Sequence, residues 1–154
     1  MLRAADEAER QELWRVRREL SLSLKLIAPL KLNHDVVVPK GRIPDLFALV
    51  ARLRQHYRLK IPLFGHAGDG NIHVNIMLDP ADGDALQRAR EAERLLFEGV
   101  VALEGSISGE HGIGFAKAPF LRIELSDDEI ALMKRVKQAF DPNGILNPGK
   151  IFPD

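Results

Sequence analysis

In the sequence NIHVNIML, the apolar residues Ile72, Val74, Ile76 and Leu78 alternate with His73, Asn75 and Met77. A period of two predicts a β-strand whose side chains point alternately to an apolar face and a polar face. His73 and Asn75 both fall on the polar face. The preceding segment, Leu59 to His66, is also typical of a strand. The glycine-rich turn between the two strands predicts a hairpin that brings His66 and His73 to its loop end.

Apolar residues that recur every three to four positions predict helices over residues 5–26, 43–57, 82–103 and 126–140. The first carries an irregular apolar stripe. The second has Pro44 in its first turn and a predicted inward face of Leu46, Phe47, Leu49, Val50 and Leu53. Gly105 is predicted at the C′ position that ends the third helix, and Ser126 begins a capping box at the fourth. A short β-branched run, Asp35 to Pro39, predicts one more strand.

Strands and helices alternate with no repeat and no linker, which predicts an α+β fold with an antiparallel sheet and helices packed on one of its faces. The 154 residues, 45% of them hydrophobic, suffice for one domain with a core. Lys+Arg and Asp+Glu both number 22, and this balance argues against a nucleic-acid-binding protein. Cysteine is absent, which excludes disulfides and thiolate metal sites. No signal peptide or apolar run of ~20 residues is found, so we expect a cytoplasmic protein.

Two glycine-rich segments contain residues suited to chemistry. Neutral imidazoles are common metal ligands, and His66 and His73 together with one carboxylate would leave coordination positions open for a substrate. The candidates for the carboxylate are Asp69, Asp79 and Glu110. Glu110 is preferred because it lies among several glycines, which allow tight turns and the close approach of a ligand. His111 could then accept a proton beside the metal. A single histidine in a strand is more often structural, so the hypothesis depends on these residues occurring together.

Other glycine-dependent functions are poorly supported. The segment GHAGDGN lacks the full dinucleotide-binding fingerprint, and no phosphate-binding P-loop is present. No serine lies in a nucleophile elbow, which argues against a Ser-His-Asp hydrolase. A metal-dependent hydrolase remains open. His34 and His56 lack a comparable context, and we expect His56 to be exposed.

Three motifs, GHAGDGNIHVN, SISGEHGIGFAK and MKRVKQAFDPNGILNPGKIF, resemble the C-terminal region of FAD-linked oxidases. This family includes the glycolate oxidase flavin subunit, D-lactate dehydrogenases and D-2-hydroxyglutarate dehydrogenase. The resemblance extends from Leu13 to Phe152. It implies that residues 1–154 form the C-terminal domain, with part of a ferredoxin-like substrate (cap) domain over 1–115 and a helical segment that returns toward the flavin over 116–154. The N-terminal FAD-binding domain of the family is not found in this sequence, which suggests a truncated chain or a split gene product.

The resemblance also implies a role for individual residues. The ligands of a divalent metal, zinc or manganese, would be His66, His73 and Glu110. His111 would be the catalytic general base. The substrate would be bound by Arg17, Ser21, Lys31 and Asn75. Contacts to FAD would come from Asn147 and Lys150.

These roles predict the substrate- and metal-binding domain of an FAD-dependent 2-hydroxy-acid dehydrogenase or oxidase that acts on glycolate, D-lactate or D-2-hydroxyglutarate. The alternative is a non-catalytic module that docks on a separate flavin domain. In either case we expect the chain alone to be inactive, with a small 2-hydroxy acid and an FAD-binding domain or subunit as its partners. An incomplete cap would also leave a sheet edge through which two copies could pair.

Overall fold

The computed structural model describes residues 3–152. Three strands form one antiparallel sheet in the order β1-β3-β2, and their bounds are β1 (Leu30–Val37), β2 (Leu63–His66) and β3 (Asn71–Leu78). The helices are α1 (Glu7–Ser23), α2 (Ile43–Tyr57), α3 (Ala85–Ala102), α4 (Leu121–Glu124) and α5 (Asp127–Phe140). The predicted α+β fold is therefore confirmed.

The hydrophobic core lies between the sheet and helices α2 and α3. Ile72, Val74 and Ile76 point into it from β3, and they are at most 3% exposed. Leu46 from α2 and Phe97 from α3 are fully buried opposite them. The alternation along β3 therefore has the predicted result. The apolar face of the strand packs against the helices, and the other face carries His73 and Asn75.

Two strands differ in length from the prediction. β1 begins at Leu30 rather than Asp35, since it pairs with β3 along its whole length, and this ladder overrides the mixed polarity of its first residues. β2 begins only at Leu63. The residues before it approach β3 through an isolated bridge between Lys60 and Met77. Pro62 has no backbone N–H to donate, so the ladder cannot continue through it.

One of the five residues predicted to face the core from α2 does not do so. Phe47 is 44% exposed, whereas Leu46, Val50 and Leu53 are buried. These three residues follow the spacing of a single helix face, and Phe47 lies about 100° around the helix from Leu46. Hydrophobicity alone did not reveal that the buried stripe is so narrow.

The cap of α3 is one residue away from its predicted position. Glu104, with φ 61°, is the left-handed residue, and the N–H of Gly105 bonds to Val100 O in a Schellman motif. Gly105 is needed for a different reason, because a Cβ there would lie 2.3 Å from the carbonyl oxygen of Val37. The capping box predicted for α5, between Ser126 and Glu129, is confirmed.

Helix α1 forms as predicted but buries none of its residues against the rest of the described chain. Its apolar stripe remains open, since Trp14 is 50% and Val16 54% exposed. Leu24, in the short turn that follows, is the first buried apolar side chain. None of the helices within residues 3–152 has both the length and the apolar character needed to cross a membrane.

A pair of ionisable side chains lies within the core. Nε2 of His34 on β1 is 3.3 Å from Oε1 of Glu93 on α3, and the imidazole meets the ring of Phe97 edge-on. Burial lowers the pKa of His34 to about 4, and the charges of Lys117 and Arg90 act in the same direction. Burial also raises the pKa of Glu93. Both shifts favour the uncharged forms.

We expect His34 to lower the free energy of unfolding as the pH falls from about 6.5 toward about 4. Glu93 acts in the opposite direction, because its raised pKa makes the folded chain bind a proton at this carboxyl before the unfolded chain does. In this interval the unfolded chain binds a proton at His34 and the folded chain does not, so acid favours unfolding. A pKa difference of this size corresponds to about 3 kcal/mol. Urea denaturation at several pH values measures the effect, and His34→Gln should flatten the slope. The matched variant His56→Gln, at an exposed position, should keep it, and an unchanged slope in His34→Gln would contradict the assignment.

Candidate metal and substrate site

The register of the sheet brings the predicted site residues together. His73 on β3 lies opposite Asp35 on β1 and opposite Phe64 on β2, so all three share one face. His66, two residues after Phe64, is the diagonal neighbour of His73, within reach of an aromatic side chain. The two imidazole centres are 5.6 Å apart. The predicted meeting of the two histidines is therefore what the structure shows.

Glu110 completes a group of three side chains suited to binding a cation. One ligand atom from each of His66, His73 and Glu110 lies within 4.8 Å of the other two, and His73 Nε2 is 3.4 Å from Glu110 Oε1. Of the carboxylates considered from the sequence, Glu110 is the one in this group, and Asp69 and Asp79 are outside it. Two nitrogens and one oxygen form a donor set that zinc and manganese accept.

The environment of His73 suits a metal ligand. Its side chain is buried, and this burial lowers its pKa, with the neighbouring His111 and His66 acting in the same direction and Glu110 opposing them. A lower pKa keeps the imidazole neutral, so its lone pair is available. Glu110, in contrast, is about half exposed and opens toward solvent.

The loop that carries Glu110 follows the outer edge of β1. Ser106 and Val37 exchange backbone hydrogen bonds of 2.8 and 3.0 Å, and the N–H of Gly109 bonds to Asp35 O at 3.3 Å. A Cβ at Gly109 would lie 2.7 Å from Nδ2 of the buried Asn71, so a side chain there would force Asn71 or the loop to shift. Gly105 and Gly109 are thus needed for close approach, whereas Gly112 and Gly114 have left-handed backbones, with φ 77° and 53°, and no atom within 4 Å of a Cβ.

His111 lies beside the group, next to His73 and Glu110. Its ring stacks on that of His73 with centres 5.4 Å apart, and Nε2 is 3.8 Å from Glu110 Oε1. Nδ1 is 3.4 Å from Oδ1 of Asp35. The imidazole is 46% exposed, so a bound molecule could reach it.

A pocket of about 430 Å³ opens beside these residues. The C-terminal half of α1 forms its opposite wall and contributes Arg17 and Ser21. Lys31 on β1 donates a 3.1 Å hydrogen bond to Ser21 Oγ, and the guanidinium of Arg17 lies 5.6 Å from the ring centre of Trp14. The pocket is thus bounded by cationic groups on one side and by the histidines and Glu110 on the other.

Asn75 lies beneath the pocket rather than in its lining. The side chain is fully buried, and its Oδ1 accepts a 2.7 Å hydrogen bond from Nδ2 of Asn33, which does line the pocket. Its own Nδ2 donates to the carbonyl oxygens of His73 and Pro62. Asn75 is therefore hydrogen-bonded to a pocket residue without lining the pocket itself.

The two residues predicted to contact flavin lie outside the pocket. Asn147 is exposed and has a left-handed backbone with φ 47°. The ammonium of Lys150 lies 3.3 Å from the ring centre of Phe115. The backbone of the neighbouring residue Ile151 bonds to Gly114 O, which fixes this tail near the end of the glycine-rich loop. Their role toward FAD remains a prediction.

The sequence analysis did not identify Asp35, Lys117 or Asn33 as site residues. Asp35 and Lys117 form a buried ion pair directly beneath Glu110 and His111. Asp35 stands at the start of DVVVP and Lys117 at the end of HGIGFAK. The sequence offered two signals for these residues, a charged residue at the start of an apolar strand and a lysine close to the Glu-His pair. No local pattern, however, could show that residues 82 positions apart form an ion pair.

Residues 1–151 match the C-terminal domain of FAD-linked oxidases, and the chain belongs to this family. The family resemblance seen in the motifs is thereby confirmed.

Several named enzymes are similar to the chain. Glycolate oxidase subunit GlcD of Escherichia coli (strain K12) is 40% identical over 150 residues, which make up 97% of this chain and 30% of that protein. D-2-hydroxyglutarate dehydrogenase of Stutzerimonas stutzeri (strain A1501) is 41% identical over 150 residues, 95% of this chain and 32% of that protein. The probable mitochondrial D-lactate dehydrogenase of Danio rerio is 35% identical over 151 residues, 97% of this chain and 30% of that protein. The chain thus spans just under a third of their length.

The variant Gly109→Ala should lower the free energy of unfolding by roughly 1–3 kcal/mol, because the added methyl would push the loop away from Asn71. Urea denaturation at neutral pH measures this change. Gly68→Ala is the matched control, since no atom lies within 4 Å of a Cβ at that position. Equal stability of the two variants would show that the close approach at Gly109 does not constrain the loop.

Proposed function

We propose that the chain is the substrate- and metal-binding part of an FAD-dependent 2-hydroxy-acid dehydrogenase or oxidase. The observation that carries this proposal is the convergence of His66, His73 and Glu110 beside a pocket with a cationic wall. Glycolate, D-lactate and D-2-hydroxyglutarate, named in the related enzymes, share a carboxylate next to a hydroxyl-bearing carbon. Such a substrate suits a site that pairs cation ligands with basic side chains.

His66, His73 and Glu110 would hold zinc or manganese, which would lower the pKa of a substrate hydroxyl bound beside it. Their arrangement supports this in two ways. First, the three ligand side chains come from different elements, and within residues 3–152 none of them makes another strong contact. Second, the neutral state of His73 favours coordination. The exposed side of Glu110 leaves the group open toward the pocket.

Arg17 and Lys31 would bind the substrate carboxylate from the opposite wall. A guanidinium can donate two parallel hydrogen bonds to a carboxylate, and an ammonium adds a compact charge. The hydrogen bond between Lys31 and Ser21 limits where the ammonium can lie. Asn33, supported from below by Asn75, adds a neutral donor to the floor of the pocket.

His111 would take the hydroxyl proton of the substrate at an imidazole nitrogen. Two observations support this role. The ring of His111 stacks on that of His73, and the imidazole is partly exposed beside the pocket. FAD, held by a flavin-binding domain or subunit, would supply the two-electron oxidant. The hydrogen on the hydroxyl-bearing carbon would leave with two electrons, and the 2-hydroxy acid would become a 2-oxo acid. Asn147 and Lys150 would contact this flavin.

A second candidate is a non-catalytic module that docks on a separate flavin domain. The observation that favours it is the open apolar stripe of α1, where Trp14 and Val16 remain exposed. The two proposals are compatible, because a docked module could also complete the site. A flavin absorbance spectrum of the purified chain separates a chain that holds FAD itself from one that depends on another domain.

Freshly purified chain, prepared without a polyhistidine tag, should contain about one divalent ion per molecule by elemental analysis. His73→Ala should lose this ion, because the variant removes a buried nitrogen ligand. His56→Ala, which removes an exposed histidine on α2, should retain it. A wild-type chain that is empty and takes up neither added Zn²⁺ nor Mn²⁺ would overturn the proposal.

The metal-loaded chain should bind 2-hydroxy acids, and Arg17→Met should weaken this binding roughly 10- to 100-fold, as expected when a charge-assisted hydrogen bond is lost. Isothermal titration with glycolate, D-lactate and D-2-hydroxyglutarate provides the measurement. Arg15→Met is the matched control, since Arg15 pairs with Glu12 and Glu19 away from the pocket.

If none of the three acids binds, or if both arginine variants weaken binding equally, the assigned carboxylate site is wrong. Turnover of the same acids with an artificial electron acceptor, measured after co-expression with a flavin domain, tests the oxidation itself. Ester hydrolysis that persists without any acceptor would instead favour a metal-dependent hydrolase.

A further inference from the structure

We propose that Asp35 is a positioning residue of this site, whose carboxylate, paired with Lys117, fixes the backbone of Glu110 and His111 and sets the tautomer of His111. The inference rests on the proposed function, since it concerns the placement of the proposed metal ligand and proton acceptor. It adds Asp35, on β1, and Lys117, at the end of SISGEHGIGFAK, to the residues to which the family resemblance assigned a role.

The carboxylate of Asp35 is the point to which the Glu110–His111 segment is attached. Asp35 is fully buried, and its Oδ2 accepts hydrogen bonds from the backbone N–H groups of Glu110 and His111, the latter at 2.9 Å. The carbonyl oxygen of Asp35 accepts another from Gly109. Three consecutive residues of the loop are therefore bonded to this one residue of β1.

Lys117 supplies the opposite charge that allows this carboxylate to stay ionised inside the protein. Its ammonium pairs with Oδ1 of Asp35 and also donates to the Asp35 carbonyl oxygen at 2.9 Å. Burial raises the pKa of Asp35, but Lys117 and the two loop N–H groups outweigh it, and the net pKa is lowered. Ionised carboxylates make stronger hydrogen bonds to N–H groups than neutral acceptors do.

The same carboxylate faces the ring of His111. Nδ1 of His111 lies 3.4 Å from Oδ1 of Asp35, and Nε2 points toward Glu110. A negative charge beside a ring nitrogen favours the tautomer with its proton on that nitrogen. Glu110, 3.8 Å from Nε2, opposes Asp35 in this respect, but Asp35 is closer, at 3.4 Å, and its carboxylate is buried whereas that of Glu110 is about half exposed to water. The Asp35 charge therefore dominates and favours the proton on Nδ1. Nε2 then carries the free lone pair, which is the state required to accept a substrate proton. Carboxylates that orient an imidazole in this way typically tune sites that bind metals.

A purely structural ion pair is the competing explanation, and the chain contains a matched example. Asp141 is also buried, pairs with Lys137, and accepts two backbone hydrogen bonds of 3.0 Å, from Ile145 and Leu146. It thus repeats the arrangement of one carboxylate, one lysine and two successive N–H groups. No proposed ligand or base is attached to it. The two pairs therefore separate a general stabilising role from a role in the site.

The experiment compares Asp35→Asn/Lys117→Met with Asp141→Asn/Lys137→Met. Each double variant removes both charges of a pair, which is better tolerated than leaving one charge buried alone. Long-range ¹H–¹⁵N correlation spectra of the metal-free chain at about pH 8, where free imidazoles are neutral, report the tautomer of His111. Amide hydrogen exchange reports the bonds of Glu110 and His111, and isothermal titration measures the affinity for Zn²⁺.

We expect wild-type His111 to carry its proton on Nδ1. In the Asp35 variant the tautomers should mix, the two loop amides should exchange faster, and Zn²⁺ affinity should fall about 10- to 100-fold, the range for losing a group that supports a ligand. The Asp141 variant should leave all three readouts at wild-type values. A folded Asp35 variant with unchanged tautomer, exchange and affinity overturns the proposal.

The wild-type spectrum decides the question even if the Asp35 variant does not fold. A proton on Nε2 of wild-type His111 overturns the proposal, and a proton on Nδ1 supports it. If the wild-type chain binds no Zn²⁺, the proposed metal site fails. In that case the tautomer and the exchange of the two amides still test whether Asp35 positions the segment, so the two failures are distinguishable.

Discussion

The antiparallel register of β3 between β1 and β2 is the constraint on which the whole site depends. Side chains along a strand alternate between two faces, so placing Ile72 and Val74 in the core forces His73 to the opposite face. There it meets Asp35 from one neighbouring strand and approaches His66 from the other. A slip of one residue would bury the imidazole under the helices and expose the core. The core packing that fixes the register of the strands therefore also fixes the positions of the site residues.

Two adjacent residues of β1 point to opposite faces of the sheet, and their buried polar groups have different surroundings. His34 points into the core, where neither of its nitrogens has a hydrogen-bond partner, and it is held neutral beside Glu93. Asp35 points to the site, where Lys117 and backbone N–H groups satisfy its charge. An unpaired polar group costs stability, and a paired charge can organise its surroundings. The expected sensitivity to acid comes from His34, and Asp35 is the residue to which the loop of Glu110 and His111 is hydrogen-bonded.

The two sides of the pocket are held to the rest of the protein by different numbers of contacts. The strand residues and the loop at Glu110 are tied to the core by ladders and buried hydrogen bonds. Helix α1, which supplies Arg17, buries no side chain against the other described residues. The part of the pocket formed by α1 therefore depends on far fewer contacts than the part formed by the strands and the loop of Glu110. The enzymes named above are about three times as long as this chain.

Much of this could be predicted from the sequence, because the signals are local. The alternation around His73 and the capping box at Ser126 act over a few residues, and the family motifs preserve short spacings. The errors came from contacts between distant segments. Phe47 is exposed because the core takes up the face of α2 that carries Leu46, Val50 and Leu53. Asn75 is buried and hydrogen-bonded to Asn33 on the neighbouring strand, a contact that the local sequence does not show. Tertiary structure alone joined Asp35 to Lys117, since only folding brings an aspartate on a strand and a lysine beyond a glycine loop into one dry, hydrogen-bonded pair.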